Sequence, residues 1–370
     1  MAVATSVTGG VPTMTTAVLL CVLVLRITAC NAQAAAPAVY MFGDSLVDVG
    51  NNNFLPLSLA KADFPHNGVD FAAGKPTGRF SNGMNAADFI AKKVGLPTSP
   101  PYLSLIGSAT LPITGVSFAS GGGGILNSTG EQFKQVISFA QQLEYFSLVR
   151  ANAKLVRQLG PAGADVHLSK TLFAIVIGSN DLFAYFTTGS AVSIKYTPQQ
   201  FVDLMVSTYK GLLKMLYGLG ARKVMVTGVG AIGCCPIQRK SNKTGGCNTG
   251  LNYWSTKYND GLKLMLQDMQ LQSSGLKYAY FDIYGAMTNL FLEPQTYGLT
   301  EIKKACCGLG NLYADAPCIP LSSYCLSRKS HVFWDLYHPT EAVSSIFSDI
   351  LYSGSQQYMV PMNVEQLLAV

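Results

Sequence analysis

Residues 39–43, Val-Tyr-Met-Phe-Gly, form an apolar run of strand-formers closed by a glycine, and Asp44-Ser45-Leu46 then delivers a serine. A serine that ends a buried strand and enters a helix holds its hydroxyl at the carboxyl edge of a sheet, where open α/β folds bind ligands. Its N–H then lies at a helix start, where partial positive charge favours a developing anion. Gly-Asp-Ser by itself is an ordinary turn or cap, so its weight rests on partners elsewhere. Asp335-Leu336-Tyr337-His338-Pro339 sets a carboxylate three residues before an imidazole. A serine nucleophile needs a base to take its proton and an acid to hold that base in one tautomer. Asp335 and His338 can supply both, with Pro339 at the expected first position of a helix running through 342–352. His331, close to the same loop, is the rival base; His66 and His167 have no carboxylate at catalytic spacing.

Two further segments offer oxyanion donors. The run 174–177 ends in Gly178-Ser179-Asn180-Asp181, where the Asn180 carboxamide can donate to an oxyanion. The run 116–119 ends in Ser120 and four glycines, and the N–H of Gly121 is a second donor. Ester cleavage passes through a tetrahedral oxyanion, and one pre-placed donor contributes roughly 3 kcal/mol to lowering the barrier.

These segments need a scaffold that brings strand ends together. Strand-like runs recur at 39–42, 116–119, 172–177, 224–227 and 278–282, separated by helical patterns, notably 132–159 and 201–219. Strands alternating with helices imply a parallel sheet covered on both faces: an α/β three-layer sandwich. No linker, repeat or composition break interrupts 35–370, which reads as one domain. The apolar positions 133, 136, 137, 140, 143 and 148 read as a core stripe, whose exposed members could line an acyl channel. Gly228-Val229-Gly230-Ala231-Ile232-Gly233 fits a dinucleotide pattern, but Cys234-Cys235-Pro236 and a polar loop follow it where a helix should start, so a nucleotide site is rejected.

Residues 1–34 read as a removable signal peptide. The apolar core 17–25 is too short to span a bilayer, and small residues precede expected cleavage after Ala32 or Ala34, although Lys and Arg are missing before the core. No later segment approaches membrane-spanning length. Of nine cysteines, Cys21 and Cys30 would leave with the leader. Cys234, Cys235 and Cys247 form one cluster, and Cys306, Cys307, Cys318 and Cys325 another. Neither has Cys-x-x-Cys spacing or a histidine at ligand distance, which argues against zinc and for local disulfides in an exported protein. A Cys234–Cys247 bridge would close a short loop, contributing about 3 kcal/mol. The second cluster could form two bridges, leaving one thiol over, with the pairing open. Asn127 and Asn242 head glycosylation sequons. The formal charge is +6 with only 12% charged residues, against about 25% in ordinary domains. No basic run carries interleaved aromatics, so nucleic acid is not an expected partner. Arg79 is read as ordering its own loop.

Taken in order, Phe42-Gly43-Asp44-Ser45-Leu46, the Gly121 loop, Gly178-Ser179-Asn180-Asp181 and Asp335-x-x-His338 resemble the four signature blocks of GDSL esterases/lipases of the SGNH hydrolase superfamily. Asp48-x-Gly50-Asn51-Asn52, Pro76-Thr77-Gly78-Arg79-Phe80-Ser81-Asn82-Gly83, Gly233-Cys234-Cys235-Pro236, Cys306-Cys307-Gly308 and Val332-Phe333-Trp334-Asp335 are similar to its plant secreted branch. The resemblance implies Ser45 as nucleophile, His338 as base, Asp335 as its orienting acid, and an oxyanion hole made by Ser45, Gly121 and Asn180. It implies an acyl ester or lipid substrate, no cofactor and secretion to the wall space. Transfer to a hydroxyl acceptor, or removal of acyl groups from sugars, would use the same residues. A catalytically silent wall- or lipid-binding protein fits poorly with the intact Ser45, Asn180, Asp335 and His338. Ser117 departs from the pattern, since many plant members carry Asn there, which puts the rigidity of the glycine loop in question. Nothing in the sequence indicates an oligomeric state.

Overall fold

Apolar runs with no polar alternation suit strands buried on both faces. Four of them form parallel strands: β1 (Val39–Gly43), β2 (Leu172–Val176), β3 (Lys223–Thr227) and β4 (Lys277–Phe281). The last two each begin on a lysine at the rim and are buried from there on. In register, Gly43 lies beside Val176, and Thr227 beside Phe281, so the chain leaves every strand at the same edge. The computed structural model describes residues 1, 3–4, 34–108, 110–151 and 154–370. It divides into two units, Met1–Ala34 and Ala35–Val370. The expected signal peptide and its cleavage site lie almost wholly outside the described residues.

Beyond β4, the strands β5 (Glu301–Ala305) and β8 (His331–Phe333) pair in parallel, and β6 (Cys307–Gly308) pairs with β7 (Ser323–Tyr324). The short β9 (Met359–Val360) closes the main sheet antiparallel to β4, giving the order β1-β2-β3-β4-β9. The expected strand at 116–119 runs extended along β1. Its neighbours Val116 and Phe118 exchange backbone hydrogen bonds with Met41, and Ser120 N–H donates to the Gly43 carbonyl.

Two groups of helices flank the sheet. In one, α2 (Phe139–Ala151), α4 (Pro198–Gly218) and α5 (Thr249–Gln272) pack together. Tyr40 and Phe42, alternate residues of β1, meet Phe146 of α2. In the other, α1 (Ala86–Val94), α7 (Glu341–Ser353) and α8 (Val364–Ala369) pack together, with Phe347 of α7 against Phe281 of β4. In sequence, α3 (Ser179–Phe186) lies between α2 and α4, and α6 (Ile283–Leu292) lies between α5 and α7.

The helix expected over 132–159 begins only at Phe139, because the preceding residues serve the glycine loop. Ile137 N–H donates to Ser120 Oγ, and Lys134 adopts φ 63°, which a helix cannot continue. Of the stripe expected on it, Ile137 and Leu143 are core, Leu148 is exposed, and Phe133 lines a cavity. The helix expected at 201–219 starts earlier, at Pro198, because Thr197 and Gln200 form a reciprocal capping box. After Gly228–Gly233 comes only the four-residue helix Pro236–Arg239. Among the described residues three disulfides, Cys234–Cys247, Cys306–Cys325 and Cys307–Cys318, leave Cys235 as a buried free thiol. Trp334 packs against the second pair of bridges and donates its indole N–H to Asn67.

Candidate active site

Gly43 ends β1 with φ 153°, and a Cβ there would meet the Val176 carbonyl at 2.2 Å. Its backbone is clamped by Gln142, which accepts from Gly43 N–H and donates to Gly43 and Ile137 carbonyls, all at 2.8–2.9 Å. The chain then folds into a turn in which Val47 N–H donates to the Asp44 carbonyl and Leu46 N–H to Asp44 Oδ1. Ser45 sits in this turn and not at a helix start as the sequence suggested. The residues after it are pulled aside by buried Asp48, whose Oδ1 accepts from the Gly50 and Asn51 amides. The Ser45 N–H makes no hydrogen bond among the described residues.

The C-terminal loop is equally constrained. Trp334 N–H donates to the His338 carbonyl and Thr340 N–H to the Val332 carbonyl. Thr340 caps α7, which begins at Glu341 and not at Pro339: its hydroxyl accepts from Val343 N–H, so the proline lies one residue before the cap. Between these anchors Asp335 Oδ1 accepts from the Tyr337 and His338 amides at 2.9 Å each. His338 Nδ1 meets Asp335 Oδ1 at 2.9 Å and Oδ2 at 2.8 Å, and Nε2 meets Ser45 Oγ at 2.7 Å. With Nδ1–H donating to the carboxylate, Nε2 is left with a lone pair facing the Ser45 hydroxyl. Phe80 lies 5.0 Å from the imidazole, ring centre to ring centre, and covers it. Burial acts to raise Asp335, but the adjacent His338 charge and the donated hydrogen bonds prevail and hold it below the usual carboxylate value. His331 instead contacts the Ser327 carbonyl through Nδ1 and has no carboxylate partner among the described residues.

The glycine loop corrects the sequence reading. Gly121 N–H donates to Asp48 Oδ2 at 2.9 Å, so it is not free for an oxyanion. Gly122 follows at φ 79°, lines the same cavity as Ser45 and Asn180, and its N–H is unbonded among the described residues. A side chain there would be strained and would strike the Phe133 ring at 2.6 Å. Asn180, in the first turn of α3, donates one amide hydrogen to the Gly123 carbonyl at 2.9 Å and keeps the other.

Carboxylates that the sequence reading passed over hold this loop. Asp181 accepts from the Ile125 and Leu126 amides and from the Thr129 hydroxyl. Asn51 Nδ2 donates to the Ser117 and Ala119 carbonyls, and Asn52 Nδ2 to the Ala60 and Gly121 carbonyls. Ser117 contributes backbone bonds while its buried hydroxyl has no partner, so the loop is kept rigid by its neighbours. Burial pushes Asp48 up to about 6 and Asp44 up to about 7, and the Asp44 Oδ2 is buried without a partner. Their signal in sequence was the block Asp44-x-x-x-Asp48-x-Gly50-Asn51-Asn52, polar residues dense enough to need burial partners.

Ser45, His338 and Asp335 open onto a cavity of about 490 Å³. Its apolar lining includes Leu59, Phe64, Phe80, Phe133, Ile232, Met287, Phe333 and Phe347. Cys235 also reaches it, but burial raises its thiol to about 12, which keeps it protonated and inert. Arg79 forms a buried two-pronged ion pair with Asp88 and orders its loop. Asn127 and Asn242 are exposed; Thr129 of the first sequon is buried against Asp181. Among the described residues no cluster of His, Cys, Asp or Glu could hold a metal ion, and no helix is long and apolar enough to cross a membrane.

The profile of the GDSL-like Lipase/Acylhydrolase family matches residues 39–351. Three Arabidopsis thaliana proteins are similar over nearly their whole length. GDSL esterase/lipase At5g55050 is 45% identical over 91% of this chain and 91% of its own. GDSL esterase/lipase At5g37690 is 39% identical over 88% and 91%, and GDSL esterase/lipase 7 is 36% identical over 90% and 93%. The matched span runs from β1 into the last turns of α7, enclosing the serine turn, the glycine loop, Asn180 and the Asp335–His338 loop, and this chain belongs to the GDSL esterase/lipase family.

Proposed function

We propose that the protein is a serine carboxylester hydrolase that cleaves acyl esters through an acyl–Ser45 intermediate. The observation that carries this reading is the continuous hydrogen-bonded line Ser45–His338–Asp335, with links of 2.7 and 2.8 Å, at the wall of an apolar cavity. His338 Nε2 takes the hydroxyl proton as Ser45 Oγ attacks the ester carbonyl, while ionised Asp335 stabilises the imidazolium. The carbonyl oxygen becomes an oxyanion received by the N–H groups of Ser45 and Gly122 and by the free amide hydrogen of Asn180. As the tetrahedral centre collapses, His338 returns the proton to the departing alcohol. Water then attacks the acyl-serine with His338 as base again, and the carboxylic acid leaves. Gly121 supports this hole through Asp48 without donating to it. Three disulfides favour an oxidising compartment, which agrees with export. The test is hydrolysis of p-nitrophenyl esters of graded chain length by the wild type and by Ser45→Ala. Hydrolysis by the wild type and none above background by the folded variant is the expected result.

A further inference from the structure

Beside the cavity stand apolar side chains left exposed among the described residues. Leu59, 62% exposed, forms part of the cavity wall, and Leu57, two residues before it, is 67% exposed. Both are anchored to the segment that bears Phe133: Leu59 N–H donates to the Phe133 carbonyl and Leu57 N–H to Gln135 Oε1. A second loop, stapled by Cys307–Cys318, contributes Ile319 to the wall. Ile319 and Ser322 exchange hydrogen bonds across a tight turn whose tip presents Leu321, 86% exposed. Rigid loops that display leucines to water around one opening make an exposed apolar rim, which in a water-soluble fold marks a site of interaction.

We propose that this rim docks the enzyme on the surface of aggregated neutral lipid, so that an ester passes from that surface into the cavity without crossing water. Two observations choose the occupant. Leu59 and Ile319 of the rim line the same cavity as Ser45, so what lies against the rim can feed the site directly. Its charges balance: Lys61 and Lys134 are matched by Asp63 and Glu131 in the same two segments, which gives an anionic surface no advantage and an uncharged or zwitterionic one no penalty. The role of the cavity rests on the esterase reading; docking itself is measured without catalysis.

Leu57→Ser/Leu321→Ser alters two residues outside the cavity wall, so the fold and the reaction on soluble esters stay intact. The folded Ser45→Ala protein, with and without the two leucine changes, is sedimented with phosphatidylcholine vesicles. The parent should bind at low and high salt, and each leucine removed should weaken binding by up to about tenfold. With Ser45 present, the double variant should keep wild-type kcat/KM on p-nitrophenyl butyrate and lose at least tenfold on a tributyrin emulsion. Absence of parent binding, binding only to anionic vesicles at low salt, or equal losses on both substrates overturns the proposal. Failure of the wild type on both esters with vesicle binding intact overturns the esterase reading and leaves docking standing.

Discussion

At the residue scale, the assignment of Gly122 in place of Gly121 makes a separable prediction. Gly122→Ala forces a side chain into φ 79° and against Phe133, so it should displace the free amide and lower kcat by roughly a hundredfold or more. Asn180→Ala removes a donor and should lower kcat by about a hundred- to a thousandfold, and Asn180→Asp should be worse because it sets negative charge where an oxyanion forms. Steady-state kinetics checks both; a normal kcat with raised KM in Asn180→Ala would place the donor elsewhere. Asp44 makes a prediction about stability. Its folded value of about 7 lies above the ordinary 3.8, so the folded state binds the proton more tightly than the unfolded chain. Stability from this group is therefore full below about pH 4, falls as pH rises, and is lost above about pH 7. Asp44→Asn should flatten that fall and melt higher than the wild type at pH 8, with little difference at pH 4. A wild-type pH slope in the variant would contradict it.

At the element scale, Asp48 joins three backbone amides across the serine turn and the glycine loop. Asp48→Ala should free Gly121, loosen Gly122 and reduce both melting temperature and kcat, while Asp48→Asn, which keeps one acceptor oxygen, should recover part of each. Thermal melts and kinetics on one soluble ester read this out; equal losses in the two variants would mean that the carboxylate shape is irrelevant. The scaffold was legible before the structure because buried parallel strands are written as unbroken apolar runs, as in 172–177, and the side chains of the candidate site are written as residue types. What was not legible is written in the backbone. Four consecutive glycines have no side chains to set their register, so Gly121 and Gly122 look alike until Asp48 is seen to occupy one amide. The 132–138 stretch has a helical apolar pattern, but its bonds to Ser120 and Leu59 lie far away in sequence and override local propensity. Ser45 misled for the same reason: its turn is shaped by Asp48 and by distant Gln142.

At the scale of the whole molecule, three local disulfides among the described residues close loops in the second half of the chain, and two of them pack against Trp334, next to Asp335. The Cys307–Cys318 bridge spans 11 residues and should contribute about 3 kcal/mol in the chain-entropy account. Its reduction should lower the melting temperature and weaken binding of long-chain esters more than short ones, because Pro317, Cys318 and Ile319 wall the cavity. The central claim is that a single serine, joined through His338 to Asp335, forms the covalent bond to the acyl group. Fluorophosphonate treatment followed by peptide mass spectrometry tests it most directly. The account predicts one adduct, on Ser45, with matching loss of esterase activity, and neither labelling nor activity in folded Ser45→Ala. An adduct on another residue, or undiminished hydrolysis by folded Ser45→Ala, would contradict it.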